Sequence, residues 1–143
     1  MQDALDQAYL AQQHDEVPVG AVIVHNHIII ARAYNLVETT ANPLAHAEIL
    51  AIEQACVKLK TSRLLDCDLY VTLEPCTMCA GALAHARLRR IYFGAFDPKG
   101  GAIDHGVRFF NQPTCMHHPE IYGGLREQEC QHLLQSFFLS KRS

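Results

Sequence analysis

Two short stretches of the chain carry side chains suited to chemistry on a metal. LAHAEIL (44–50) places His46 two positions before Glu48 in an otherwise apolar run, and PCTMC (75–79) places Cys76 three positions before Cys79. On a helix, sulfurs at i and i+3 project from neighbouring points of one face. In a helix's first turn, unpaired N–H groups and the positive dipole end favour thiolate, the form that binds metal. His46, Cys76 and Cys79 would fill three corners of a tetrahedral zinc and leave the fourth to water, the layout of a catalytic site. Water on such a metal loses its proton near a pH of about 7. Glu48 is a poor fourth ligand, because a residue at i+2 on a regular helix points away from the direction of residue i. Near a helix start it can reach the water and the substrate instead. That suits a proton shuttle from water to a ring nitrogen and then to a leaving amine.

Each motif also has a plainer explanation. A lone histidine on an apolar face is usually a hydrogen-bonded core residue, and CxxC is also the spacing of a thioredoxin-like redox pair. A redox pair, however, has no use for a histidine and a glutamate at the start of another helix. A structural zinc site would want a fourth protein ligand, for which His85, His117 and His118 are available.

The elements that must position these residues can be read from periodicity. Ala4, Leu5, Ala8 and Tyr9 recur at helical spacing, which predicts an amphipathic helix over 2–13. VPVGAVIVH and IIIARAY are β-branched runs parted by Asn26-His27, the pattern of a hairpin. From Ala45 to about Lys60 apolar residues fall on more than one face, as in a helix covered on both sides. DLYVTL (68–73) reads as a buried strand, and Pro75 as the first turn of a helix running to about Ala86. RIYFGAF (90–96) is a further strand, followed by the long glycine-punctuated loop DPKGGAIDHGVRFFNQPT. MHHPEIYG would hold a short fifth strand. Cys130, Leu133, Leu134, Phe137 and Phe138 form the stripe of a closing helix. Strands alternating with helices imply an α/β domain with helices on both faces of one sheet.

Length and composition bound the rest. A chain of 143 residues suits a single domain, 1–143, with a substantial core. There is no apolar run long enough to cross a bilayer and no secretory leader, so a soluble cytoplasmic protein is expected, with no membrane partner. The cysteines at 56, 67, 115 and 130 then read as buried thiols rather than a disulfide framework. A net charge of −3 and a pI of 6.3 argue against a strongly basic nucleic-acid coat but leave room for a local basic groove. Arg87, Arg89 and Arg90 cluster around one turn, and Lys99 and Arg108 sit in the glycine-bearing loop. For any one of them, solvated surface charge is the default reading.

HAE followed by PCTMC resembles the zinc nucleobase deaminase superfamily, with its H-x-E and P-C-x-x-C signature. Within it, EVPVGAVIV (16–24), Asn35, HAEILAI (46–52), LYVTLEPCTMCAGAL (69–83) and IYFGAFDPKGGA (91–102) resemble the bacterial tRNA-specific adenosine deaminases over nearly the whole chain. That resemblance implies a three-layer α/β/α cytidine-deaminase-like fold with a five-stranded mixed sheet. It implies a homodimer with one zinc per subunit, gripping a tRNA anticodon stem-loop and deaminating the wobble adenosine of an arginine tRNA to inosine. By position, His46, Cys76 and Cys79 match the family's zinc ligands and Glu48 its proton shuttle. Asn35 matches the asparagine that hydrogen-bonds the flipped base, the backbone N–H of Ala47 would help hold the purine edge, and Asp97 matches a residue near the neighbouring ribose. Asn35 and Asp97 also suit simple turn roles.

Lys99, Phe138, Lys141 and Arg142 are candidate RNA contacts, with core packing the competing role for at least one of Phe137 and Phe138. The chain departs from the family at Met116-His117, where Asn-His is usual, at Leu139 and Ser140, where basic residues are common, and in a first helix that starts a turn or two late. Two rivals remain. One is a free-base or nucleotide deaminase acting on cytosine, cytidine or guanine, and the other is a non-catalytic zinc-stabilised module that binds RNA or protein.

Overall fold

The computed structural model describes residues 1–142. The elements run α1 (Gln2–Gln13), β1 (Gly20–His25), β2 (Ile28–Tyr34), α2 (Val37–Thr40), α3 (Ala47–Leu59), β3 (Cys67–Leu73), α4 (Thr77–Ala86), β4 (Arg90–Ala95), β5 (Glu120–Tyr122) and α5 (Glu127–Arg142). A turn of 3-10 helix at Phe109–Asn111 interrupts the long loop after β4. The sheet order is β2-β1-β3-β4-β5. β1 pairs antiparallel with β2 and β3, while β3, β4 and β5 run parallel. The result is the expected five-stranded mixed sheet with helices on both faces.

Alternation along the strands explains the layers. Ala21, Ile23, Leu69, Val71, Ile91 and Phe93 are buried in one cluster with Ala47, Ala51 and Ala55 of α3 and Ala80, Leu83 and Ala86 of α4. The opposite face meets α1 and α5 at close range. A Cβ at Gly20 would lie 2.1 Å from the Ala4 carbonyl, and one at Gly94 would lie 2.4 Å from the Cys130 sulfur, so glycine lets each helix lie directly on its strand. Asn26 and His27 both have positive φ, 52° and 64°, the backbone of a two-residue hairpin whose twist matches its strands.

The parallel half of the sheet carries two cross-strand rungs. Tyr70, Tyr92 and Tyr122 are in register and stack with ring centroids 4.4 and 5.1 Å apart. One rung nearer the strand starts, Arg90 sits between Asp68 and Glu120 at 3.7 and 2.6 Å, and Arg89 grips Asp68 with two hydrogen bonds. Two of the three arginines that clustered in the sequence, Arg89 and Arg90, are therefore spent on acidic neighbours at the starts of the parallel strands.

Several expectations need correction. α3 is covered on one face only, with Ala47, Glu48, Ala51 and Ala55 buried and Val57 78% exposed. Pro75 does not enter α4, since Cys76 is already the N-cap and Thr77 the first helical residue. The first strand begins at Gly20 rather than Val17, because its hydrogen-bonded register with both neighbours starts only at residues 20 and 21. All six cysteines are free of disulfides, and Cys67, Cys115 and Cys130 are buried as expected, whereas Cys56 is only half-buried. Among the described residues, no helix is long and apolar enough to cross a membrane.

Candidate active site

The two motifs meet because α3 and α4 lie side by side on one face of the sheet, with their N-termini at the same end. His46 and Cys76 are the N-caps of the two helices, both with extended backbone (ψ 151° and 177°), and neither side chain caps its own helix. An N-cap side chain stands clear of the helix cylinder, so these two side chains are free to face each other across the gap. The His46 Nδ1 lies 3.7 Å from the Cys76 sulfur and 3.5 Å from the Cys79 sulfur. All three ligand atoms fall within 4.8 Å of one another.

These separations fit a metal between them. Tetrahedral zinc with bonds of about 2.3 Å to sulfur and about 2.0 Å to nitrogen sets its S and N ligands roughly 3.6 Å apart. Among the described residues, the cluster is His46, Cys76 and Cys79 and no fourth histidine or acid joins it. The alternative fourth ligands are occupied or remote. The His117 Nε2 is 2.6 Å from the Leu88 carbonyl, and the His118 Nδ1 is 3.1 Å from the Phe110 carbonyl. His85 lies with Arg87 in grooves away from the cluster.

The thiols are electrostatically distinct. A hydrogen bond from Cys79, helped by His46, pulls the Cys76 thiol down to about 4. Cys79 is pushed up, as donor to Cys76 and by burial. His46 is raised, chiefly by its hydrogen bond with Cys76. A thiolate beside an imidazole is a donor set that accepts a borderline cation readily.

Beside the cluster opens a cavity of about 330 Å³, lined by Asn35, His46, Ala47, Glu48, Cys76 and Asp97, among others. That volume is in the range of small-molecule sites. Glu48 is only 4% exposed, and burial raises its carboxyl to about 7. It lies on the first turn of α3, two residues after the histidine N-cap, and it lines the same cavity as His46, so the i+2 spacing does not turn it away from the site. The Asn35 side-chain oxygen accepts from the Val37 N–H at 3.3 Å, which leaves its NH₂ end as the group available to a ligand. One oxygen of Asp97 accepts from the N–H groups of Lys99 and Gly100, so Asp97 lines the cavity and holds a turn at once.

The candidate RNA contacts are not in this cavity. Lys99 is exposed on the loop beside it. Phe138 is 46% exposed and lines a separate groove with Phe96 and Leu134, while Phe137 is buried, so the two aromatics divide between surface and core. Lys141 pairs with Asp15 and lies over the Phe137 ring. The side chain of Arg142 lies outside the described residues.

Sequence reasoning assigned no role to two buried carboxylates of the cavity wall, Glu16 and Glu74. Glu16 accepts from the Glu38 N–H at 3.1 Å and from the Thr39 N–H and hydroxyl, both at 2.6 Å. Glu74 accepts from the N–H groups of Asp97, Ile103, Asp104 and His105 and from the His105 ring, all at 2.9–3.1 Å. Burial alone would raise both carboxyls, but these donors outweigh it and hold each below the usual carboxylate range. The one sequence signal was position, since Glu74 abuts Pro75 at the end of an apolar run and Glu16 stands two residues before Pro18 at the start of one.

The chain has close relatives of known kind. The profile of the MafB19-like deaminase family matches residues 1–142. The tRNA-specific adenosine deaminase of Agrobacterium fabrum is 54% identical over 142 residues, covering 99% of this chain and 93% of that protein. The Bacillus subtilis protein of the same name is 46% identical, covering 99% and 88%. A solved structure from studies of A-to-I editing by tRNA:A34 deaminases at the wobble position of transfer RNA superposes with a TM-score of 0.92 at 54% identity, covering 94% of this chain and 97% of that one. A guanine deaminase from Bacillus subtilis superposes with a TM-score of 0.67 at 30% identity, covering 99% and 91%.

Proposed function

Because the chain belongs to the MafB19-like deaminase family, among the tRNA-specific adenosine deaminases, we propose that it converts the wobble adenosine of an arginine tRNA anticodon loop to inosine. The observation that carries this reading is the convergence of His46, Cys76 and Cys79 with Glu48 and Asn35 on one cavity. It is proposed to work as a single deaminase domain in the cytoplasm and as a homodimer. Pairing would cover large apolar side chains that one chain leaves in water, such as Val57, Leu65 and Met116.

His46, through Nδ1, and the sulfurs of Cys76 and Cys79 would hold one zinc ion per subunit. Zinc bound there supplies the Lewis acidity that brings the pKa of water down to about 7. The other steps fall to the chain's own groups. The buried Glu48 carboxylate takes one proton from the attacking water and hands it to the purine ring nitrogen, then takes the remaining hydroxyl proton and gives it to the amino group, which leaves as ammonia. The side-chain NH₂ of Asn35 and the N–H of Ala47 hold the edge of the flipped base. Asp97 lies where the neighbouring ribose would pass, a place for reading a 2′-hydroxyl. An anticodon loop is already partly unstacked, so extruding its base costs little. Lys99, Phe138, Lys141 and Arg142 are the proposed contacts to the rest of the loop.

The test is inosine formation by zinc-loaded protein on an arginine tRNA anticodon stem-loop, with free adenosine, cytidine and guanine alongside. Glu48→Ala should keep its zinc and lose roughly 10²–10⁴-fold in turnover, the usual contribution of a general acid and base. Full turnover in that variant would remove the shuttle role. Guanine deamination without inosine in RNA would move the protein to the free-base branch, toward which the weaker likeness to guanine deaminase points.

A further inference from the structure

We propose that Glu16 and Glu74 are positioning residues, each setting one wall of the cavity so that the RNA on either side of the flipped base meets a preformed surface. The inference rests on the substrate reading above. Both side chains line the cavity, yet neither is a good candidate to take or give a proton there. Every oxygen already accepts at least one hydrogen bond, and six of the eight donors are backbone N–H groups, the others being the Thr39 hydroxyl and the His105 ring, all from segments 22 to 31 residues away. A buried carboxylate so supplied is an ionised anchor.

Glu16 ties down α2, the four-residue helix that follows Asn35 and contributes Val37 and Glu38 to one wall. Glu74 ties down the stretch from Asp97 to His105, whose Asp97 and Gly100 form the facing wall. The stretch is also held where the Ala102 N–H donates to the Pro75 carbonyl at 2.9 Å. The approach is close enough to require glycine, since a Cβ at Gly101 would lie 2.5 Å from the Glu74 carboxyl carbon. His105 completes the anchor from the outer side. A ring nitrogen 2.9 Å from an ionised carboxylate must carry the hydrogen, so Nδ1 is the donor.

Neither wall carries a metal-ligand candidate, so loosening a wall should weaken RNA binding while leaving the chemical step in place. Three variants test this: His105→Ala, His105→Asn and Glu16→Gln. Two readouts are needed, inosine kinetics on the stem-loop and amide hydrogen exchange of the zinc-loaded protein. His105→Ala should raise KM roughly tenfold with kcat changed by less than about threefold. It should speed exchange across 97–105 and leave 36–42 unchanged. His105→Asn, whose amide can donate from nearly the same place, should restore both. Glu16→Gln should give the mirror image, faster exchange at 36–42 with 97–105 unchanged, again with KM raised.

Unchanged exchange at the wall in question, a loosened wall with unaltered KM, or a fall in kcat at constant KM would each overturn the proposal. Wild-type protein that makes no inosine would sink the substrate reading separately. Exchange alone would then still decide whether the anchors hold the walls.

Discussion

At the scale of single residues, chemistry was most legible where the side chain is rare in the role it would otherwise play. His46, Cys76 and Cys79 stand out because thiols and imidazole at helix starts have few structural uses in an apolar setting, and the fold brings all three together. Glu16 and Glu74 passed unread because most of their partners are backbone N–H groups. Those carry no sequence signature and arrive from distant segments. Glu16 also has a consequence for stability. Its carboxyl is held below its ordinary value in the folded chain, so its stabilisation is present above the unfolded pKa of about 4.3 and is lost as pH falls through the lower folded value. Glu16→Gln is therefore expected to cost about 2 kcal/mol at neutral pH, on the scale of hydrogen bonds to a charged group. In thermal melts from neutral pH downward, its deficit against wild type should close below pH ~4. A deficit that persists into acid would assign the loss to packing instead.

At the scale of elements, the long segments were readable and the short ones were not. α1, α3, α4 and α5 show periodicity over ten or more residues. α2 has four residues and the 3-10 turn three, too few for a repeat to register. The two-sided reading of α3 failed because its apolar residues are unevenly used. Small alanines take the buried face and Val57 is left in water. Which helix would lie closest to the sheet was also hidden, since it depends on where a glycine meets a backbone. Gly20→Ala puts a methyl carbon within 2.5 Å of two α1 backbone atoms, which cannot rotate aside as a side chain would. α1 must lift from β1 and β2, at a cost of about 3 kcal/mol, at the upper end of overpacking effects. Urea denaturation would measure it. A loss below half that value would mean that α1 shifts on the sheet at low cost.

At the scale of the whole molecule, the resemblance specified the mixed sheet that alternation alone did not, because a period of two says which face a residue takes and nothing about strand order. The distribution of charge is another whole-molecule property. Arg89 and Arg90 are committed to Asp68 and Glu120, and Lys141 to Asp15, in a chain whose net charge is −3. If Lys99 and Arg142 each meet a phosphate and Lys141 exchanges Asp15 for a third, about three contacts form, and log affinity for the stem-loop should fall against log salt with a slope near −2, on a scale of roughly 0.7 per phosphate for single strands. Fluorescence anisotropy across a salt series reads this directly. A slope several times steeper would mean that basic groups on the partner subunit or elsewhere on the chain take part.

The chain has no tryptophan and five tyrosines, three of which form the column Tyr70–Tyr92–Tyr122. Its intrinsic ultraviolet signals therefore come from phenol rings, and ring stacking couples their transitions into a chiral array. That array exists only while β3, β4 and β5 keep their register, whereas Tyr9 and Tyr34 belong to α1 and β2. The near-ultraviolet dichroism is thus a built-in optical reporter for the parallel half of the sheet, legible without a label and separable from loss of helix in the far ultraviolet.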